Sequence, residues 1–179
     1  MARPRRIKTL NVHIKIIGRQ NVAINNIISA TNEIFAQANI AVQFAPVEQL
    51  NLSQDELEFL EPMDVGACRR KPSEDQIQIS TNRNNAGVKD VVVYICETVM
   101  GNVSLGGCAT HPRGVPMVVM ASQTVNSVLA HELAHLLKLD HCGHDLFNRL
   151  MNSSVDDVPP PLVLTESEIR DMRRSSLLS

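Results

Sequence analysis

The sequence predicts an α/β (α+β) fold in which strands and helices alternate along the chain. Apolar and polar residues alternate over positions 10–17, which is typical of a half-buried strand. Over positions 21–37 apolar residues recur every three or four residues, which predicts an amphipathic helix. Two continuous apolar runs, at 91–96 and 115–120, predict strands that are buried on both faces of a sheet.

Shorter elements are predicted between the first helix and the first continuous apolar run. Residues 40–44 read as a strand, and residues 51–60 as a short helix, because Ser53 is followed three positions later by a glutamate. That spacing is typical of a capping box at a helix N-terminus. Residues 63–87 are rich in charge, Asn and Gly, so we expect a long connection there with at most a short strand at 77–79.

The second half of the chain is predicted to contain an edge strand and two helices. Residues 105–110 contain glycines and precede a proline, which suits a short edge strand. Residues 124–138 keep helical spacing of apolar residues, with Ser122 or Thr124 available as the N-cap. A last helix is expected to begin at Thr165, where a second capping-box pattern occurs.

Length and composition exclude several classes of protein. The 179 residues suit one domain spanning 1–179, and they give no indication of oligomeric state. With no Trp, one Tyr and a formal net charge of −2, nucleic acid is not an expected partner. No apolar run is long enough to cross a bilayer, so we expect no membrane insertion. The N-terminus lacks a signal-peptide pattern, which predicts a cytoplasmic protein, export by a signal-independent route, or a fragment of a longer secreted chain.

The cysteine pattern does not indicate a zinc ribbon or a redox motif. The four cysteines lie far apart, at positions 68, 96, 108 and 142. They permit two disulfides without requiring any. Because no signal peptide is visible, we expect reduced, buried thiols.

One motif points to metal chemistry. His131-Glu132-Leu133-Ala134-His135 places two imidazoles four residues apart on one helical face, with β-carbons about 5–6 Å apart. This spacing allows both rings to bind one Zn²⁺ ion. Glu132 projects about 100° around the helix from His131, so it is predicted to act as a general base beside the metal. Without a metal, burying these polar groups in an apolar helix would cost several kcal/mol.

A catalytic zinc site usually has three protein ligands, so a third histidine is expected. His141 supplies it if the helix ends between the two, and residues 139–143 are consistent with such an end. His144 is the alternative third ligand. His111 and His13 are weaker candidates, because His13 occupies the polar face of a strand and His111 precedes a proline.

The residues from His131 to His141 resemble the signature H-E-x-x-H-x-x-G-x-x-H of the metzincin metallopeptidases, which precedes a methionine turn. The resemblance is specific over 128–151 and implies that Met151 forms the Met-turn beneath the metal. It also implies a twisted mixed sheet, an N-terminal helix, an active-site helix and a small C-terminal subdomain ending in a helix. One departure is Lys138, which stands where the family has the glycine that leaves the helix in a left-handed conformation.

The resemblance also implies how the chain is divided and where a substrate binds. Residues 1–141 would form the upper subdomain and residues 142–179 the lower one. In this family an extended substrate pairs with the edge strand above the metal, so backbone groups of 105–110 are predicted to hold a polypeptide by strand addition. The alternative is that a neighbouring loop covers this edge strand. The residues predicted to bind substrate are Leu105, Gly106, Gly107, Cys108 and Ala109.

The function predicted from these residues is a zinc-dependent endopeptidase that hydrolyses an extended polypeptide, with a protein inhibitor as one means of control. Two alternatives stay open. One is a non-catalytic, zinc-stabilised binding module, and the other is a zinc amidohydrolase acting on a non-protein amide. One catalytic Zn²⁺ is predicted, whereas calcium lacks support, because the loop carboxylates show no EF-hand pattern. Those carboxylates are Asp140, Asp145, Asp156 and Asp157.

Overall fold

The computed structural model of the protein describes residues 6–18, 22–68, 71–101, 106–142, 148–152 and 161–179. Several residues given a role or an alternative above lie outside these ranges. They are Leu105, His144, Asp145, Asp156 and Asp157.

The strands form one main sheet and one small sheet. In chain order they are β1 Lys8–Ile16, β2 Ile40–Phe44, β3 Glu48–Gln49, β4 Met63–Asp64, β5 Val91–Cys96, β6 Val99–Met100, β7 Gly107–Thr110 and β8 Met117–Ala121. The main sheet has the order β2-β1-β5-β8-β7, and β3 extends the β2 edge by pairing with β1. All pairings in it are parallel except that of β7 with β8. The predicted mixed sheet is therefore confirmed, with an antiparallel strand at one edge.

Five helices are found within the described residues: α1 Ile24–Ala36, α2 Gln54–Leu60, α3 Glu74–Ile79, α4 Val128–Leu136 and α5 Glu166–Met172. A short 3-10 turn, Pro112–Gly114, separates β7 from β8. None of the described helices is long and apolar enough to cross a membrane.

The main sheet is covered on both faces because side chains alternate along its strands. All six residues of β5 are buried, as its continuous apolar run predicts. On one face Val91, Val93 and Ile95 join a core with α1, α4 and the C-terminal segment. On the other face Val92 and Tyr94 join a second core that includes residues of α2 and α3.

The prediction for residues 63–87 was wrong, because they contain the helix α3. Ile77 and Ile79 alternate as in a strand, but the sequence also contains a capping box at Ser73, which favours a helix. The Ser73 hydroxyl accepts from the Gln76 backbone N–H, and the Gln76 side chain accepts from the Ser73 N–H. This local pattern satisfies two N-terminal donors and favours a helix over a strand.

The predicted bounds of the helix over 124–138 also differ from the structure. This helix begins only at Val128 and ends at Leu136, and its N-cap is Ser127, which makes no side-chain capping bond, rather than Ser122 or Thr124. The last helix begins at a Thr165 capping box, as predicted, and ends at Met172.

The expectation of reduced thiols is corrected by the structure. Cys68 and Cys108 form a disulfide across 40 residues, with 5.7 Å between their α-carbons. Cys96 and Cys142 are the free cysteines, of which Cys96 is buried. The disulfide ties the edge strand β7 to the segment that follows β4.

Candidate metal centre

Helix α4 positions the first two candidate ligands. His131 and His135 are one helical turn apart, and their ring centroids are 4.6 Å apart. His131 is fully buried, whereas His135 is half-buried. Because α4 packs against the sheet through its apolar residues, the two imidazoles are held by the core rather than by surface contacts.

The end of α4 brings the third candidate toward the first two. Lys138 has φ +76°, the left-handed conformation expected at this position. Its N–H donates to the carbonyl of His135 (3.0 Å), and the Leu139 N–H donates to that of Ala134 (3.0 Å). These two bonds are those of a Schellman motif, which reverses the chain direction after a helix. His141 thus lies beside His131 and His135 although a lysine replaces the family glycine.

The three histidines converge through the same ring atom. The Nε2 atom of His141 lies 3.1 Å from Nε2 of His131 and 3.1 Å from Nε2 of His135. Three imidazoles around a tetrahedral Zn²⁺ with bonds of about 2.0–2.1 Å have nitrogens about 3.3 Å apart. The observed spacing therefore fits one zinc ion.

The other ring nitrogens face backbone carbonyls. Nδ1 of His131 lies 2.7 Å from the Leu150 carbonyl oxygen, and Nδ1 of His135 lies 2.8 Å from that of Leu139. A carbonyl only accepts, so both Nδ1 atoms carry the proton and both Nε2 atoms present a lone pair. Both lone pairs therefore point toward the Nε2 atom of His141, which places three imidazole nitrogens around one space, as a zinc site requires. The donor set thus fits zinc, and the predicted cofactor is supported.

Glu132 lies on the buried side of the centre. Its side chain is 3% exposed, on the side of α4 that faces the edge strand β7. A β-carbon added to Gly107 of that strand would stand 3.1 Å from the Glu132 Oε1 atom. His141, by contrast, is exposed, so the centre opens to solvent on the His141 side.

The predicted Met-turn residue lies in the core under the same helix. Met151 is fully buried, and its carbonyl accepts from the Cys142 N–H (2.9 Å) directly after the third histidine. Arg149, two residues earlier, contacts the Glu168 carboxylate and the Thr165 hydroxyl at the start of α5. The turn is therefore attached to both the third histidine and the last helix.

The remaining candidates are placed elsewhere or are not described. His13 is largely buried and its Nε2 lies 3.4 Å from the Asp90 carboxylate, not at the metal centre. His111 is not part of the three-histidine cluster found among the described residues. Of the residues predicted to bind substrate, Gly107, Cys108 and Ala109 lie in β7, and Gly106 precedes it.

Sequence reasoning missed the groups that orient the histidines. The carbonyls of Leu139 and Leu150 have no signature in the sequence, because every residue carries one. Gly107 was identified only as part of an edge strand, although a glycine inside a strand is itself a signal of close approach by another part of the molecule.

The sequence matches no protein-family profile and no curated protein. Comparison of structures finds proteins with a similar fold. Metalloproteinase-II from Bacteroides fragilis superposes with a TM-score of 0.63 at 15% identity, covering 95% of this chain and 54% of that chain. This chain thus spans about half the length of that protein.

Two archaemetzincins are also similar. That of Methanopyrus kandleri has a TM-score of 0.48 at 15% identity, covering 94% of this chain and 87% of its own. That of Archaeoglobus fulgidus has a TM-score of 0.43 at 15% identity and covers 94% of each chain. Within its described residues the chain thus combines the fold of the Bacteroides fragilis metalloproteinase with a three-histidine cluster.

Proposed function

We propose that this chain is a metzincin-type zinc endopeptidase that cleaves an extended polypeptide. The observation that carries the proposal is the convergence of three histidines, in which Nε2 of His141 lies 3.1 Å from Nε2 of His131 and of His135, with the buried Glu132 on the helix of the first two. The fold shared with a bacterial metalloproteinase supports it. His131, His135 and His141 would be the zinc ligands, and Met151 would be the Met-turn residue.

Each residue has a chemical task in this proposal. His131, His135 and His141 would hold the zinc, which when bound would supply Lewis-acid chemistry toward the scissile carbonyl and the attacking water. The Glu132 carboxylate takes a proton from the attacking water on one of its oxygens and returns it to the leaving amine. The carbonyls of Leu150 and Leu139 hold His131 and His135 in the required tautomer.

The edge strand offers a way to hold the substrate. Within the described residues β7 pairs with β8 alone, so its other edge faces away from the sheet. An extended peptide would add to this edge through its backbone, with Gly106 and Ala109 in the pairing segment. A protein inhibitor would bind by placing an extended segment along the same edge of β7, where it would remain bound instead of being cleaved and released.

Glu132→Gln tests the mechanism and separates it from the two alternatives. The amide keeps the shape of the side chain but cannot accept the proton, so the kcat for cleavage should fall at least about 100-fold while zinc and fold are retained. Glu33→Gln, an exposed change on α1, is the matched control and should leave kcat unchanged. Unaltered cleavage in Glu132→Gln would contradict the proposal.

The substrates in this experiment decide between the functional classes. Peptides blocked at both ends, by N-acetylation and C-amidation, can be cut only internally, which is the activity expected of an endopeptidase. A zinc-loaded wild type that cuts none of them but releases an amine from small amides would indicate the amidohydrolase. A zinc-loaded wild type that hydrolyses neither class would indicate the binding module.

A further inference from the structure

We propose that Gly107 is a positioning residue for Glu132: the absence of a side chain at position 107 leaves the space that the Glu132 carboxylate occupies beneath the edge strand. The inference rests on the proposed function, in which Glu132 is the proton acceptor. It assigns to Gly107 a task separate from holding substrate through its backbone.

The distances show how closely the strand approaches the helix. A β-carbon built on Gly107 would lie 2.9 Å from Val128 Cγ1, 3.0 Å from Glu132 Cγ and 3.1 Å from Glu132 Oε1. Carbon atoms in good contact are about 3.5–4.0 Å apart, so the approaches to Val128 Cγ1 and Glu132 Cγ are too short. Any residue larger than glycine therefore requires the strand, Val128 or Glu132 to move.

Glycine is present at this position for space and not for backbone freedom. Gly106, the preceding residue, has φ +67°, a conformation that disfavours other residues. Gly107 is not among the residues with positive φ and pairs regularly with Met120 of β8. The backbone conformation at position 107 is therefore compatible with alanine. Only the contacts of the added β-carbon with Val128 and Glu132 disfavour it.

The strand itself is firmly held. Residues 107–110 of β7 are buried and pair with four residues of β8. From the opposite face the Cys68–Cys108 disulfide anchors the next residue, and Gln76 Nε2 lies 3.3 Å from the Cys108 sulfur. A shift of β7 would disturb all of these contacts. We therefore expect that groups on α4, rather than the strand, move when a β-carbon is added at position 107.

The two side chains on α4 respond differently: the Val128 contact is relieved only by a small shift of the backbone, whereas the Glu132 carboxylate can be displaced by rotation. Val128 is fully buried at the start of the helix, and its β-branched side chain has one strongly preferred rotamer there. Glu132 has three rotatable bonds, so a methyl group at 107 displaces its carboxylate. A general base must lie within hydrogen-bond reach of the proton it takes, and a displacement of this size reduces the rate.

The first test compares Gly107→Ala with Gly114→Ala on zinc-loaded protein and doubly blocked peptides. Gly114 has φ +82° with no atom within 4 Å of an added β-carbon, so its variant carries backbone strain without touching the centre. Gly107→Ala should keep one zinc per chain, lower kcat at least tenfold and change KM less than twofold. Gly114→Ala should keep the wild-type kcat. A Gly107→Ala enzyme with wild-type kcat, or one that changes KM alone, would overturn the proposal.

The second test does not depend on activity. Thermal unfolding of the metal-free protein is measured for Gly107→Ala, Glu132→Ala and the double variant. If the two side chains compete for one space, the loss of Tm caused by Gly107→Ala should be at least halved when Glu132 is already alanine. Equal losses in both backgrounds would show that position 107 does not act through Glu132. If instead Glu132→Gln keeps full activity, the proposed function fails while this cycle still reports the packing.

Discussion

The Nδ1 atom of His131 lies 2.7 Å from the carbonyl oxygen of Leu150, 19 residues further along the chain. This contact joins the helix that carries the first two histidines to the turn that follows the third. The turn is attached in its own right to α5, because Arg149 contacts Glu168 and Thr165. The orientation of a candidate ligand thus depends on residues outside the histidine motif.

Removing the Arg149 side chain should weaken zinc binding without removing a ligand. Arg149→Met leaves the Leu150 carbonyl on a turn no longer attached to α5, so His131 is less well oriented. Losing such an outer partner typically lowers metal affinity by 10–100-fold, and we expect about tenfold here because the effect is indirect. The measurement is the zinc Kd by competition with a chromophoric chelator.

Arg174→Met is the matched control for that experiment. Arg174 follows α5, is mainly exposed and lies 3.7 Å from Asp171, so its removal should leave zinc affinity unchanged. Equal zinc affinities for the wild type and Arg149→Met would show that the turn does not orient His131.

Replacing Lys138 by glycine should stabilise the fold and leave the zinc site intact. Lys138 has φ +76°, which is costly for a residue with a β-carbon. A glycine loses more backbone entropy on folding than a lysine does, which offsets part of the relieved strain. The net gain in the free energy of unfolding should therefore be about 0.5–1 kcal/mol. Chemical denaturation measures it, and Lys138→Ala, which keeps the β-carbon, should show no such gain. A loss of stability in Lys138→Gly would indicate that the lysine side chain itself contributes.

The Cys68–Cys108 disulfide should be detectable in solution and should matter for stability. In denaturant without reductant, thiol titration should find two free thiols per chain, those of Cys96 and Cys142. For a bridge spanning 40 residues the chain-entropy estimate of the stabilisation is about 4 kcal/mol, which the variant lacking both cysteines should lose. Four free thiols in the purified protein would contradict the pairing.

The Ser73 capping box tests why α3 forms. Ser73→Ala removes the hydroxyl that accepts from the Gln76 N–H, so the free energy of unfolding should fall by about 1 kcal/mol. Zinc content should not change, because α3 packs on the face of the sheet opposite α4. A variant as stable as the wild type would mean that packing of Ile79, and not the cap, decides this helix.

Periodicity predicted the parts of the fold in which burial has a simple repeat. The run 91–96 is apolar throughout because both faces of β5 are covered, and residues 21–37 repeat as one face of α1 does. The histidine motif was predictable because its geometry follows from a single helix. Helix α3 was missed because a short segment with apolar residues two apart fits either a strand or one turn of helix.

Other features depend on which segments distant in the sequence pack against each other, and this could not be predicted from local sequence patterns. The partner of Cys68 was open because pairing requires the edge strand to lie beside the segment after β4. The approach of Gly107 to Glu132 depends on how β7 packs against α4. The division into two subdomains and the roles of individual site residues remain predictions.

The central claim is that His131, His135 and His141 bind one zinc ion, and elemental analysis of the purified protein tests it most directly. Wild type, His135→Ala and His13→Ala are compared after loosely bound ions are removed, with His13 as a histidine paired to Asp90 outside the cluster. About one zinc per chain in the wild type and in His13→Ala, with none in a folded His135→Ala, is the predicted result. A folded wild type that holds no zinc even after zinc is supplied would contradict the claim.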